Sequence, residues 1–414
     1  MYSLTNRTRA LAIGMGTAAL LVACDANRDA VGLTNLNNDI FRSYVAIGNS
    51  ITAGWQSGGL NDSLQQLAYP RLLATQMGTP YKFASLVNPG CPPPVANFQT
   101  QARVKIPNDT TPTTGGTCLL RAPASVTDVL NNVGVPDARV LDPISPTTVA
   151  SNALTTFILG GKTQVEKAIQ ADPTFVTIWI GNNDVLQPAL SGLFQPIVST
   201  QAQFQTAYDA MIAQLQAGAP DLKGGVLIGV AKAQYLPSFT TGALLFATPA
   251  AQGAINAATG KTVLIDASCQ NSTSLINIVS LIPAIRSGAH PAIIACAKGI
   301  YPAPVGDVYV LDPAEQTTLN AAIQAYNDYI QQKAGAIGFA YYDPNTLFAA
   351  KKATGEIPPF PDFASKNATT QTYGTLISLD GVHPTALAHK LIANDLIKVI
   401  NDTYHTALQP VTVP

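Results

Sequence analysis

The chain has 414 residues, 47% of them hydrophobic and 11% charged, so it can bury a large core and is not a disordered polyelectrolyte. Its 23 basic and 24 acidic residues leave a net charge of -1, and no basic cluster or nucleic-acid motif occurs, so a nucleic-acid partner is not expected. Low charge with 30 prolines suits an exported protein with a neutral, polar surface.

At the N-terminus, Arg7 and Arg9 lead into Ala10–Ala23, an apolar stretch too short to span a membrane. It ends in Leu21-Val22-Ala23-Cys24, which resembles a bacterial lipobox, where cleavage precedes the cysteine and lipid is attached to it. The expectation is a lipoprotein signal peptide over 1–23, lipidation at Cys24 and a flexible tether over 24–40. The exported chain would then be anchored to a membrane of the cell envelope. An ordinary signal peptide that happens to contain a cysteine is the plainer alternative.

Tyr44–Ile47 reads as a short buried strand, with a turn beginning at Gly48. Leu64, Leu67, Leu72, Leu73 and Met77 recur at helical spacing, which predicts a helix over Ser63–Met77 kinked at Pro70. Phe83–Val87 is a candidate second strand, and Gly90–Pro146, crowded with Pro, Thr, Gly and Asn, a long ordered loop. A helix is expected through Lys162–Ala171, then buried strands at Phe175–Ile180 and Gly225–Val230 around an amphipathic helix Gln201–Ala217. A helix over Ala314–Ala334, a strand Gly338–Tyr342 and a last helix capped by Thr385 complete the series. Alternating strands and helices predict an α/β fold with a parallel sheet. Between Lys232 and Asp312 the alternation stops, and this insertion reads either as a cap over a substrate pocket or as decoration of the fold's edge.

Besides Cys24 there are Cys91, Cys118, Cys269 and Cys296, and an even count in an exported chain favours two disulfides. Pairing of sequence neighbours, Cys91–Cys118 and Cys269–Cys296, is the preferred arrangement. A zinc site is the competitor, but no C-x-x-C occurs and the four histidines are not spaced as ligands, so no metal is expected.

Three short pieces carry the chemistry: Gly48-Asn49-Ser50, Gly181-Asn182-Asn183-Asp184 and Asp380-Gly381-Val382-His383. Ser50 follows a buried strand by a tight turn, placing a nucleophile at the carboxyl edge of a parallel sheet, where ligands of open α/β folds bind. Asn183 follows the strongest strand and offers a side-chain N–H to a developing oxyanion. His383 needs a partner on one ring nitrogen to leave the other free as base, and Asp380, three residues earlier, can reach it. Alone, each piece is more simply a capping serine, an Asn/Asp turn or a surface ion pair. Together they supply a nucleophile, an oxyanion donor and an oriented base.

Strand–G-x-S, strand–G-x-N-D and a late D-x-x-H, in that order over residues 43–403, resemble the SGNH or GDSL hydrolase superfamily. The resemblance implies a three-layer flavodoxin-like fold, with a five-stranded, mainly parallel sheet and helices on both faces. The hydrolase domain would span 41–404, with insertions at about 91–146 and 232–312 and a tail over 405–414. It implies Ser50 as nucleophile, Asp380 and His383 as the rest of the triad, and Ser50, Asn183 and Gly90 around the oxyanion. It departs from the family at Asn49, where the usual motif has Asp. The expected activity is hydrolysis of a small-molecule, lipid or glycan ester by a monomer, without a cofactor. The alternatives are acyl transfer to glycans on the same triad, or a surface binding protein on an inactive scaffold.

Overall fold

The computed structural model describes residues 39–105, 128–145, 153–191, 199–301, 308–363, 365 and 367–413. The expectations for the leader, Cys24, Cys118 and the tether as far as residue 38 lie outside the described residues, while the tether's last two residues, Asp39 and Ile40, belong to a short 3-10 helix, Asp39–Phe41. Four parallel strands, β1 (Tyr44–Gly48), β2 (Phe175–Trp179), β3 (Gly224–Ile228) and β4 (Ala340–Tyr342), lie side by side in that order. Every residue of β1, β2 and β3 is buried. This is why the sequence shows near-continuous apolar runs there rather than alternation.

Alternate side chains of each strand still point to opposite faces. Tyr44, Ala46, Phe175, Trp179 and Val226 join one core, against helix α1 (Tyr69–Met77) and the last helix, α4 (Ala386–Tyr404). Val45, Ile47, Val176, Ile178 and Leu227 join the other, against α2 (Gln201–Gly218) and α3 (Pro313–Ile337). Phe204 of α2 stacks on Tyr326 of α3 with ring centroids 3.9 Å apart. Burying such a side chain stabilises by about 2–3 kcal/mol relative to leaving it exposed. The result is the expected three-layer arrangement.

The expected second strand at Phe83–Val87 does not form; Asn131–Val135 takes its place beside β1. Ala46 N–H donates to the Asn131 carbonyl at 2.8 Å, Val133 N–H to that of Ala46 at 2.9 Å and Val135 N–H to that of Gly48 at 3.0 Å. The bridge is parallel, so the order, counting this segment as second in sequence, is the 2-1-3-4-5 of flavodoxin-like folds. Asparagine is poor strand material, but both asparagines are used. Asn131 donates to the Tyr44 carbonyl and Asn132 to that of Thr52, at 2.9 and 2.8 Å. Gly134 allows the approach, since a Cβ there would lie 2.8 Å from Ala53 N.

The helix expected over Ser63–Met77 is two helices, Asp62–Gln66 and α1, with Pro70 in the first turn of α1. Proline has no N–H to lose at that position, so it starts a helix instead of kinking one. Within the 232–312 insertion, Phe239–Thr241, Leu275–Asn277 and Val310–Leu311 form a small antiparallel sheet. The apolar run Leu275–Ile285 is a strand that turns into the helix Ile278–Ser287, capped by the Asn277 side chain. Cys269 and Cys296 are joined by a disulfide, as expected. Cys91 is also disulfide-bonded.

Candidate active site

Strand β1 ends at Gly48, whose missing side chain matters: a Cβ would lie 2.6 Å from the Trp179 carbonyl. Asn49 then caps a single helical turn, Ser50–Ala53, by accepting from Ile51 N–H at 3.0 Å. Ser50 is therefore the first residue of that turn, at the carboxyl end of β1, with its side chain 2.8 Å from His383 Nε2. His383 Nδ1 lies 2.9 Å from Asp380 Oδ2. With the proton on Nδ1, both contacts are satisfied: Nδ1–H donates to Asp380 and Nε2 accepts from the Ser50 hydroxyl.

The turn that carries His383 is tightly specified. Asp380 Oδ1 accepts from Val382 N–H at 3.0 Å, His383 N–H at 2.9 Å and the Ser378 hydroxyl at 3.0 Å. Asp380 Oδ2 also accepts from Gly58 N–H at 2.9 Å. Burial alone would raise this carboxyl's pKa. The adjacent His383 charge and these donors outweigh burial and hold the pKa well below the usual carboxylate range. Asp380 thus stays ionised beside the His383 imidazole. Thr385 caps α4 immediately afterwards, accepting from Ala388 N–H.

Strand β2 delivers the third piece. Gly181, at φ +105°, turns the chain where a Cβ would press within 2.7 Å of the Phe204 ring. A helix, Asn182–Ser191, begins directly afterwards. Asn183 donates one amide N–H to the Ala138 carbonyl at 2.9 Å and lines the same cavity as Ser50 and His383. The buried Asp184 holds the facing loop by accepting from Val140 N–H at 2.9 Å, and burial pushes its pKa up to about 6.

Gly90 is not brought to this cavity. It packs against Leu60 and Asn61, where a Cβ would lie 2.4 Å from the Leu60 carbonyl, and it is absent from the residues lining the space beside Ser50. The reason is the strand exchange above: Asn131–Val135, not Phe83–Val87, runs beside β1. Its continuation carries Asp137, at φ +64°, into the cavity wall. Sequence reasoning also missed Trp55, whose ring centroid lies 6.4 Å from that of His383, and the clamp made by Ser57, Gly58 and Ser378. The Ser57-Gly58-Gly59 turn and the serine two residues before Asp380 were the available signals.

An open cavity of about 1130 Å³ spreads from Ser50 and His383 over Trp55, Asp137, Arg139 and Gln187. Among the described residues no group of three or more His, Cys, Asp or Glu is placed to hold a metal ion.

The family model described as GDSL-like Lipase/Acylhydrolase matches residues 44–396. The chain belongs to that family and is a carboxylic ester hydrolase. Similar solved structures include a catalytic mutant of Axe2, an acetylxylan esterase from Geobacillus stearothermophilus, at 12% identity and a TM-score of 0.38, over 87% of this chain and 94% of that one. The extracellular lipase of Streptomyces rimosus is similar at 15% identity and a TM-score of 0.33, over 87% and 99%. LAE5, an alpha/beta hydrolase from the metagenome of Lake Arreo, Spain, matches at 16% identity and a TM-score of 0.36, over 87% and 97%. No curated relative matches in sequence.

Proposed function

We propose that the protein cleaves carboxylic esters through an acyl-enzyme on Ser50. The observation that carries this reading is the continuous hydrogen-bonded chain Ser50 Oγ–His383–Asp380, with contacts of 2.8 and 2.9 Å. His383 Nε2 takes the Ser50 proton as Oγ attacks the ester carbonyl, then passes it to the leaving alcohol. Water repeats the sequence in reverse and frees the acid. Asp380 keeps the imidazole in the required tautomer and stabilises its charged form. The oxyanion is held by Ser50 N–H and the second amide N–H of Asn183. Asp137 N–H, which meets no acceptor among the described residues, replaces Gly90 as the third donor.

Asn49 performs its local task without a charge, since capping Ile51 N–H requires only an acceptor. The Asn enzyme should therefore be active as it stands, and Asn49→Asp should not be needed to create activity. The test of the whole reading is labelling by a fluorophosphonate probe, which reacts only with an activated serine. Wild type should be labelled at Ser50 and should turn over a short nitrophenyl ester, and Ser50→Ala should lose both. Undiminished turnover in Ser50→Ala would sink the assignment.

The export reading is a proposal of the same kind. Lipid on Cys24 would hold the enzyme at a membrane surface of the cell envelope, where ester substrates reach it by diffusion. Incorporation of labelled palmitate into wild type but not Cys24→Ala would support it, and equal incorporation would refute it.

A further inference from the structure

Ser50 faces a second space besides the open cavity. It is a narrower, less open pocket of about 40 Å³, whose wall includes Ile51, Val185, Ala231, Leu236 and Phe348. These side chains come from the nucleophile turn, the Asn182–Ser191 helix, the chain after β3, the start of the insertion and the helix Pro344–Ala353. Val185, Leu236 and Phe348 are 3%, 8% and 5% exposed, so the wall is part of the packed core and cannot swing aside cheaply. The open cavity beside it measures about 1130 Å³, so this pocket is by far the smaller of the two spaces and suits a short group better than a long chain.

Resting on the serine-esterase reading, we infer that this pocket receives the acyl group of the substrate and favours short acyl chains over long ones. An ester attacked by Ser50 sends its two halves in different directions. The acyl half stays bonded to Oγ while alcohol leaves and water arrives, so it suits the narrower space. The alcohol half must depart to solvent, and only the open cavity over Trp55 and Arg139 allows that. A second observation agrees. Asn182 Oδ1, on the pocket wall, is buried without a hydrogen-bond partner among the described residues. A long hydrocarbon laid across it would seal an unpaired acceptor away from water. A short acyl group leaves space for a water on it.

The measurement is kcat/KM for 4-nitrophenyl acetate, butyrate and octanoate, on wild type, Leu236→Ala and Phe348→Leu, with fluorophosphonate labelling of Ser50 as the control for an intact site. Wild type should prefer acetate to octanoate by at least about tenfold, the discrimination that even one methylene can impose in a narrow apolar pocket. Either variant should raise the octanoate-to-acetate ratio by about tenfold. A labelled wild type that hydrolyses octanoate as well as acetate overturns the acyl-size inference and leaves the serine-esterase reading standing. So does a ratio unmoved in both variants, provided both are labelled. Absence of both labelling and turnover in wild type overturns the underlying reading, and with it this one.

Discussion

Two regions of the molecule are held together in opposite ways. The edge that carries Ser50 and His383 joins pieces more than three hundred residues apart through hydrogen bonds and a ring contact of Trp55 with His383: Ser57 N–H to Ser378 Oγ at 2.8 Å, Gly58 N–H to Asp380 at 2.9 Å and the Ser50–His383 contact at 2.8 Å. The 232–312 insertion is local in sequence, yet it carries a disulfide across a separation of 27 residues. The difference follows from what lies beneath each. The edge rests on strands buried on both faces, which fix where each turn emerges. The insertion's strands are only two or three residues long, too short to order a loop of that size by pairing alone, so a covalent link supplements them. The regions meet where the Ser238 hydroxyl donates to the Gly381 carbonyl and Val279 packs over the same glycine. The insertion thereby buttresses the turn that carries His383.

If this division holds, substitutions at the edge should remove activity and spare the fold, and loss of the insertion's disulfide should do the reverse. The largest effect is expected for Asp380→Asn. It should lower kcat about 10⁴-fold by disturbing the imidazole's tautomer, while circular dichroism shows an intact fold; a loss under tenfold would detach Asp380 from the site. Asn183→Ala should cost about 10²- to 10³-fold in kcat with little change in KM, and a pure KM effect would make Asn183 a binding residue instead. Replacing Cys269 and Cys296 by serine should lower unfolding free energy by about 3–4 kcal/mol, with kcat/KM on an acetate ester within a few-fold of wild type. An activity loss as deep as that of Asn183→Ala in this folded variant would erase the distinction between the regions.

The smallest effect concerns pH. His389, fully buried in α4, accepts from Tyr69 N–H at 3.2 Å, and burial, with the nearby His383 charge, lowers its pKa to about 3. The unfolded chain takes up its proton near pH 6.5, so stability is full above that value and falls as pH drops toward 3. By pH 5 the loss is about 2 kcal/mol. His389→Gln, which keeps an acceptor for Tyr69, should flatten that slope in denaturant titrations at pH 7 and pH 5. An unchanged slope would show that His389 does not set it. Asp184 works the other way, because its raised pKa favours the folded state as pH falls through about 6. The variant difference, not the raw profile, therefore isolates His389.

The sheet was legible because buried parallel strands leave an unbroken apolar signature: Tyr44–Ile47 and Phe175–Ile180 were expected within a residue of where they lie. The pairing of Asp380 with His383 was legible because spacing of three in a turn leaves little choice of partner. Asn131–Val135 was not, since two asparagines and a glycine look like a turn until their side chains are seen bonding to Tyr44 and Thr52. With that strand misplaced, Gly90 was carried to the wrong wall. The clamp from Ser57 and Gly58 to the His383 turn was harder to read, because its donors are backbone N–H groups and only the Ser57-Gly58-Gly59 turn and Ser378 mark it in the sequence. The insertion's short strands fall below the length at which periodicity can speak.

The contact between Ser50 and His383 also has a temporal side. Synthesis makes Ser50 more than three hundred residues before His383. On the proposed mechanism the side chain at Ser50 is until then an ordinary alcohol, with nothing to draw off its proton. Chains that stall before His383, or that lose it to a protease, would be harmless to esters around them. Ester-cleaving power would thus be withheld from every copy without His383, with no separate inhibitor required.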